Sequence, residues 1–299
     1  MTQCTLDVER RFGGIGRLYG PDAPRLLSRA HVMVVGIGGV GSWAAEALAR
    51  SAVGTLTLVD MDHVAESNIN RQVHALTQTL GQSKIGAMAE RIAQINPDCQ
   101  VCQVDDFLTP DNVSALIQPD MSVVLDCTDQ VKAKVAMVIQ ARRMNVPLLV
   151  SGGAGGKTQS LALRAGDLSE STHDALLARM RNMLRRDHGF PRPSSAKGGT
   201  KPSAKVPRMG VRVIWVDQPT RLPQVWSGQV ADSRDADGDL AASAALQGLS
   251  CAGYGSAVTV TATMGLAAAG EAIELILKQS RRAVLAPVSD NALENNDFS

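Results

Sequence analysis

The chain has 299 residues, 44% of them hydrophobic and 20% charged, with a formal net charge of +1. That length holds one large domain or two small ones, and that balance excludes both a disordered chain and one that steers polyanions by its overall field. Aromatic residues make up only 3%, so the core must be aliphatic, and a nucleic-acid partner would be gripped by local cations rather than by stacking platforms.

Residues 1–28 read as helical, with a break expected at Gly13-Gly14 and a second start at Pro21-Asp22-Ala23-Pro24. HVMVVG (31–36) is a short apolar run entering glycines, the pattern of a buried parallel strand. Ser42–Arg50 reads as a helix and TLTLVD (55–60) as a second strand, which completes a dinucleotide-type βαβ unit. Ser83–Ile95 is an amphipathic helix stopped by Asn96-Pro97. A strand is expected over 99–104, a short helix over 110–118, a strand over 121–127, a helix over 131–145 and a strand over 147–153. The alternation predicts an α/β fold, a doubly wound, mostly parallel Rossmann-like sheet.

Beyond residue 156 the pattern loosens. Strands are expected over 158–164 and 211–216, a helix over 172–186 and a last helix over 254–278. HGFPRPSSAKGGTKPSAKVPRMG, between them, has the composition of a segment that cannot bury a core. From Arg179 to Arg212 there are ten Lys/Arg against one acid, Asp187. The expected organisation is an N-terminal helical and nucleotide-binding core over 1–165 and a C-terminal extension of the same domain over 166–280. The extension carries a basic flexible segment near 187–208, and 281–299 form a flexible tail. The apolar run 257–269 falls short of a membrane span and reads as a buried core helix. Five dispersed cysteines, at 4, 99, 102, 127 and 251, make no disulfide framework; with a polar N-terminus they point to a reducing, cytoplasmic location. Cys99 and Cys102 form a single CxxC inside a strand, where i and i+3 face opposite ways, so no zinc site is expected.

The chemistry concentrates after the second strand. In G36-IGGV-G41, Gly36 allows the tight turn, Gly38 lets a phosphate or ribose approach the backbone, and Gly41 lets helix and strand pack closely. Asp60 closes the second strand, where a carboxylate can accept from a ribose diol. An NAD enzyme would use that residue the same way. Asp62, Asn68, Arg71 and Gln72 in one polar loop, followed by Lys84, are a poor set for a nicotinamide ring and a good one for three phosphates. Lys84 opens a helix, where a cation opposes the helix dipole unless an anion binds beside it. Asp129, in DCTD, lies at the carboxyl end of a strand, where it could hold magnesium on ATP phosphates or cap the next helix. GGAGGKT (152–158) fails as a P-loop because residue 151 is serine, and reads instead as a flexible loop beside a ligand. Cys251 reads as a small buried residue, with an exposed nucleophile as the alternative. His63 and His74 read as surface residues.

GIGGVG, VDMDHVAESNINRQ, GQSK and LDCTD together resemble the ThiF/MoeB/ubiquitin-activating-enzyme-like superfamily of adenylate-forming enzymes. RFGGIGRLYG, GGAGGKTQ and SCAGYGSA are most similar to its tRNA threonylcarbamoyladenosine dehydratase branch, over roughly residues 10–165 and 208–278. The resemblance implies that Gly36, Gly38, Gly39 and Gly41 line ATP and that Asp60 holds the ribose, with Asp62 also in the nucleotide site. It implies that Asn68, Arg71, Gln72 and Lys84 meet the phosphates and that Asp129 holds Mg2+; Arg71, Lys84 and Asp129 would be catalytic. It implies cyclisation of N6-threonylcarbamoyladenosine at position 37 of tRNA, a homodimer, and room for a sulfur-transfer protein partner. An arginine that relatives extend to a neighbouring subunit would here be Arg11 or Arg17. The alternatives are adenylation of a ubiquitin-like sulfur carrier, against which the missing second CxxC pair argues, and an NAD-binding oxidoreductase.

Overall fold

The computed structural model describes residues 7–193, 206–223 and 254–285. Two short helices, α1 (Val8–Tyr19) and α2 (Ala23–Ser28), precede β1 (His31–Val35), α3 (Gly41–Arg50) and β2 (Thr55–Val59). Then follow α4 (Lys84–Ile95), β3 (Gln100–Val104), α5 (Val113–Leu116), β4 (Val123–Asp126), α6 (Val131–Met144) and β5 (Leu148–Ser151). β6 (Leu163–Asp167), α7 (Ala175–Asp187), β7 (Arg212–Val216) and α8 (Val258–Leu285) complete the described elements.

The seven strands form one sheet in the order β3-β2-β1-β4-β5-β7-β6. Every pairing is parallel except β6 with β7. The strand order turns back between β1 and β4, so the carboxyl ends of these two neighbours diverge into loops leading opposite ways. A crevice at that point is where open α/β sheets bind ligands. Alternation along β1 sends Val32 and Val34 into the cluster under α3 and α8, and Met33 and Val35 into the cluster under α5 and α6. Val150, Val213 and Trp215 pack with Leu177, Met180 and Leu184 of α7 in a third cluster.

Four expectations need correction. α1 runs through Gly13-Gly14 without a break: Asp7 caps it by accepting from Arg10 N–H. Two glycines weaken a capped, docked helix by only about 1 kcal/mol each. The strand expected over 158–164 begins at Leu163, because the N–H groups of Thr158 and Gln159 both donate to Gln218 Oε1. The basic segment does contribute to the core at its flanks, through Phe190 and Met209, both buried against α7; residues 194–205 lie outside those described. The last helix, expected over 254–278, spans Val258–Leu285 and so enters the stretch expected to be a flexible tail. Among the described residues, its Val258–Ser280 stretch is the one long and apolar enough to cross a bilayer. Met264, Ala268, Ala272, Ile273 and Ile276 are instead buried in the core beside α3, and Glu271 pairs with Arg212 at 2.8 Å.

Candidate active site

A cleft of about 700 Å3 opens at the carboxyl ends of β1, β2, β4 and β5. Its volume lies within the range of nucleotide-sized sites. Gly36, Gly38, Gly39, Asp60, Asp62, Asn68, Arg71, Gln72, Lys84 and Asp129 all line it. These residues span 93 positions of sequence and come together because parallel strands bring their ends to one edge.

Gly41 does not line the cleft. A Cβ there would sit 1.9 Å from the Gly36 carbonyl oxygen, so Gly41 serves the close packing of α3 on the turn. Gly36 has φ +86°, and a Cβ there would meet the Cys127 carbonyl at 3.0 Å. The glycine turn therefore abuts the loop after β4.

Asp60 is buried. Its carboxylate accepts from Ile37 N–H at 2.7 Å and from Asp62 N–H at 2.9 Å. Burial raises its affinity for a proton; Lys84, 3.8 Å away, and the two N–H donors oppose that rise. Ser83 caps α4 by accepting from Gly86 N–H, which sets Lys84 in the first turn of the helix. The Lys84 ammonium meets Asp62 at 2.6 Å, so two carboxylates rather than solvent answer the helix dipole. Asp62 is 54% exposed, which leaves this pair open to exchange with an entering anion.

Arg71 is held from behind. Its carbonyl accepts from Trp43 Nε1 of α3 at 3.0 Å and from Thr261 Oγ1 of α8 at 3.1 Å. Its guanidinium donates to Ser67 O at 2.5 Å and Asn70 Oδ1 at 3.0 Å, which orients the fork along the loop. Asn70 also donates to Ser256 O at 2.8 Å, tying the loop to the approach of α8. Asn68 Oδ1 accepts from Ala65 N–H, and Gln72 Oε1 is buried with no partner. His74 departs from expectation. It is 1% exposed, neither ring nitrogen has a partner, and burial with the nearby Lys84 and Arg91 charges pushes its pKa down to about 4. His63 is exposed, as expected.

Across the cleft, α6 takes Gln130 as its N-cap residue, so Asp129 is not the cap. Asp129 is exposed to the cleft and takes no hydrogen bond or ion pair from the described residues. A free carboxylate facing a cationic loop suits a hard cation that keeps waters and shares phosphate oxygens. Below it lies a pair that sequence reasoning missed: Lys134 and Asp126, both with fully buried side chains, 3.1 Å apart. Burial pushes the Asp126 carboxyl up against the pull of Lys134 and Thr128. Burial also pushes the Cys127 thiol up to about 12, which makes it inert as a nucleophile. Thr261 and the exposed Phe107 are further lining residues no motif announced, and Ser256, within SCAGYGSA, was not singled out.

Other residues are placed elsewhere. Lys157 of GGAGGKT is 3% exposed and donates to the carbonyls of His173 and Gln218, a structural tie rather than a phosphate contact. Gly152, Gly153 and Ala154, just before it, line the cleft. Arg11 donates to Ile95 O at 2.9 Å and lines a separate cavity of about 450 Å3 with Arg50 and Arg91. Arg17 is exposed near Glu9. Cys251 lies outside the described residues.

The fold and cleft define a doubly wound α/β protein with a nucleotide-type glycine turn facing a cationic loop. The chain belongs to the ThiF family, whose model matches residues 15–298. It is 41% identical over 274 residues to the tRNA threonylcarbamoyladenosine dehydratase of Escherichia coli (strain K12), covering 91% of this chain and 96% of that protein. The Sulfur carrier protein ThiS adenylyltransferase of the same organism is 34% identical over 143 residues, covering 48% of this chain and 56% of that protein. The crystal structure of the E. coli dehydratase, TcdA, in complex with ATP aligns at a TM-score of 0.75 and 39% identity, over 92% of this chain and 96% of that one.

Proposed function

We propose that this protein is an ATP-dependent tRNA threonylcarbamoyladenosine dehydratase that closes the threonylcarbamoyl side chain of the modified adenosine into a ring. The observation that carries the reading is the set Asp60, Arg71, Lys84 and Asp129, the last unpaired among the described residues, around one cleft of nucleotide size. The end-to-end likeness to dehydratases supports it, whereas the likeness to the sulfur-carrier adenylyltransferase stops at half the chain. An NAD enzyme would leave Arg71 and Lys84 without a role.

The reaction follows from the weakness of a carboxylate as an electrophile. A carboxylate oxygen of the threonyl group attacks the α-phosphorus of ATP; pyrophosphate leaves and an acyl-adenylate forms. The ureido nitrogen then attacks the activated carbonyl, loses its proton, and expels AMP. Overall one water is lost from the side chain. In this reading Asp60 accepts from the ribose, while Arg71 and Lys84, displaced from Asp62, stabilise charge growing on the phosphates. Asn68 and Gln72 turn their amides to the same anion. Asp129 would hold the magnesium ion that neutralises the phosphates. The second step is intramolecular, which supplies up to about 7–11 kcal/mol through effective molarity. No enzyme nucleophile is required, so Cys251→Ser retains activity; a thioester trapped there would overturn this.

The reading includes a homodimer and a tRNA-binding surface along the basic stretch, of which Arg185 and Arg186 are described and Lys197, Lys201 and Lys205 are not. Replacing all five with Ala should weaken tRNA binding and flatten its salt dependence, by a slope of about 0.7–0.9 for each phosphate the protein no longer neutralises, with ATP affinity unchanged.

The deciding experiment is nucleoside mass spectrometry of tRNA incubated with the protein, ATP and Mg2+. The modified adenosine should lose one water only when ATP is present. An unchanged nucleoside, with the tRNA bound and ATP consumed on a carrier protein instead, would favour the sulfur-carrier reading.

A further inference from the structure

Burying a lysine completely is unfavourable, and a buried ion pair can often be replaced by apolar residues at no loss of stability. Lys134 is fully buried and stands in the first turns of α6, where the helix dipole also opposes a cation. Its placement therefore calls for a reason other than stability, and its partners suggest one. Its ammonium donates to Asp126 Oδ1 at 3.1 Å, the last residue of β4, and to Ser151 O at 2.8 Å, the last residue of β5.

Each of these strand ends leads directly into a wall of the cleft. Asp126 Oδ1 also accepts from Thr128 N–H at 3.1 Å and Thr128 Oγ1 at 2.9 Å, which closes the turn that presents Asp129 one residue later. Among the described residues Asp129 takes no hydrogen bond of its own, so its position follows from the backbone of that turn. Ser151 is followed by the lining strip Gly152–Gly153–Ala154. Gly36 presses on the same turn from the third side.

We infer that Lys134 is a positioning residue: one buried ammonium pins the ends of β4 and β5 and thereby holds Asp129 and the 152–154 strip in register across the cleft. It touches neither nucleotide nor metal. The role rests on the proposed reading of Asp129 only for its effect on magnesium; the ordering of the two strips is independent of that reading.

Lys134→Met alone leaves Asp126 as an uncompensated buried charge, so the informative variant is Lys134→Met with Asp126→Asn. That double variant keeps an oxygen for Thr128 and removes both charges. Its folding is checked by circular dichroism and a cooperative melt. In hydrogen exchange, peptides covering 127–130 and 152–154 should exchange at least tenfold faster than in the native protein, with 64–80 unchanged. At saturating ATP, the Mg2+ concentration giving half-maximal dehydration should rise at least tenfold. A folded double variant with native exchange in both strips and native magnesium dependence overturns the inference. A measurement on the native protein needs no variant: the Thr128 amide, bound to Asp126, should exchange at least 100-fold slower than an unstructured amide, and free exchange there overturns the inference as well. Asp129→Ala run alongside tests the metal reading separately: native magnesium dependence in that variant rejects the metal role, and the exchange data still decide Lys134.

Discussion

Two lysine–aspartate pairs, one lining the cleft and one sealed beneath it, are built for opposite purposes. On the β2 side, Lys84 meets Asp62 at 2.6 Å, with Asp62 54% exposed. On the β4 side, Lys134 meets Asp126 at 3.1 Å, and neither side chain is exposed at all. Water reaches the Asp62 end of the first pair, so Asp62 can be traded for another anion, while the Lys84 ammonium stays buried beside Asp60. The second is sealed beneath the loops, and losing either partner strands a charge. One region keeps its cations available to a ligand; the other uses a cation to hold backbone in place. The short distance in the first pair is thus no sign of strength, since exposure decides what the pair contributes.

The sharpest way to break the contrast is Lys134→Met, which should lower unfolding free energy by about 3–5 kcal/mol in urea titrations, as expected when one partner of a buried pair is removed. A loss below 1 kcal/mol would put the two pairs in the same class. Next, Arg71→Ala and Lys84→Ala should each slow turnover by about 10²-fold or more, roughly 3 kcal/mol of transition-state stabilisation, with melting nearly unchanged in Arg71→Ala. Arg71→Lys should recover little, because the planar fork is lost; full recovery would reduce Arg71 to a point charge.

A smaller effect comes from His74, buried behind the Lys84 side. Its folded pKa of about 4 lies below the ordinary 6.5, so between these values the unfolded chain binds the extra proton. Its contribution is therefore intact above pH 6.5 and is lost as pH falls toward 4. From pH 7 to pH 5 the native protein should lose about 2 kcal/mol through this residue, and His74→Leu should remove that part of the slope. Equal slopes in both proteins would show His74 hydrated and able to charge. Smallest of all, Asp62→Asn should change stability by less than about 1 kcal/mol while altering the salt dependence of ATP binding. A larger loss would make the exposed pair structural.

The β2 side was legible residue by residue. Gly36, Asp60, Asn68, Arg71 and Lys84 lie close in sequence, follow a strand–turn–helix pattern, and carry side chains whose donors and charges match phosphate and ribose. The β4 and β5 side was legible at Asp129 and in the glycine-rich loop from Gly152. Lys134 looked like one more polar residue on a helix, and its partners lie eight and 17 positions away on two strands. Thr261 and Ser256 reach the cleft from nearly 200 positions beyond Arg71 and Asn70. His74 looked like a surface residue because burial depends on what packs over a loop, not on the loop's composition.

Local chemistry in the chain was sufficient for the parallel α/β architecture, since apolar runs, glycine turns and helix caps act over a few residues, and for the cleft-lining residues of one contiguous loop. Which charges are sealed from water and which side chains hold Arg71 from behind were decided only when α3, α6 and α8 closed on the sheet. Desolvation and hydrogen bonding between distant segments are properties of that closure and leave no periodic trace in the order of residues.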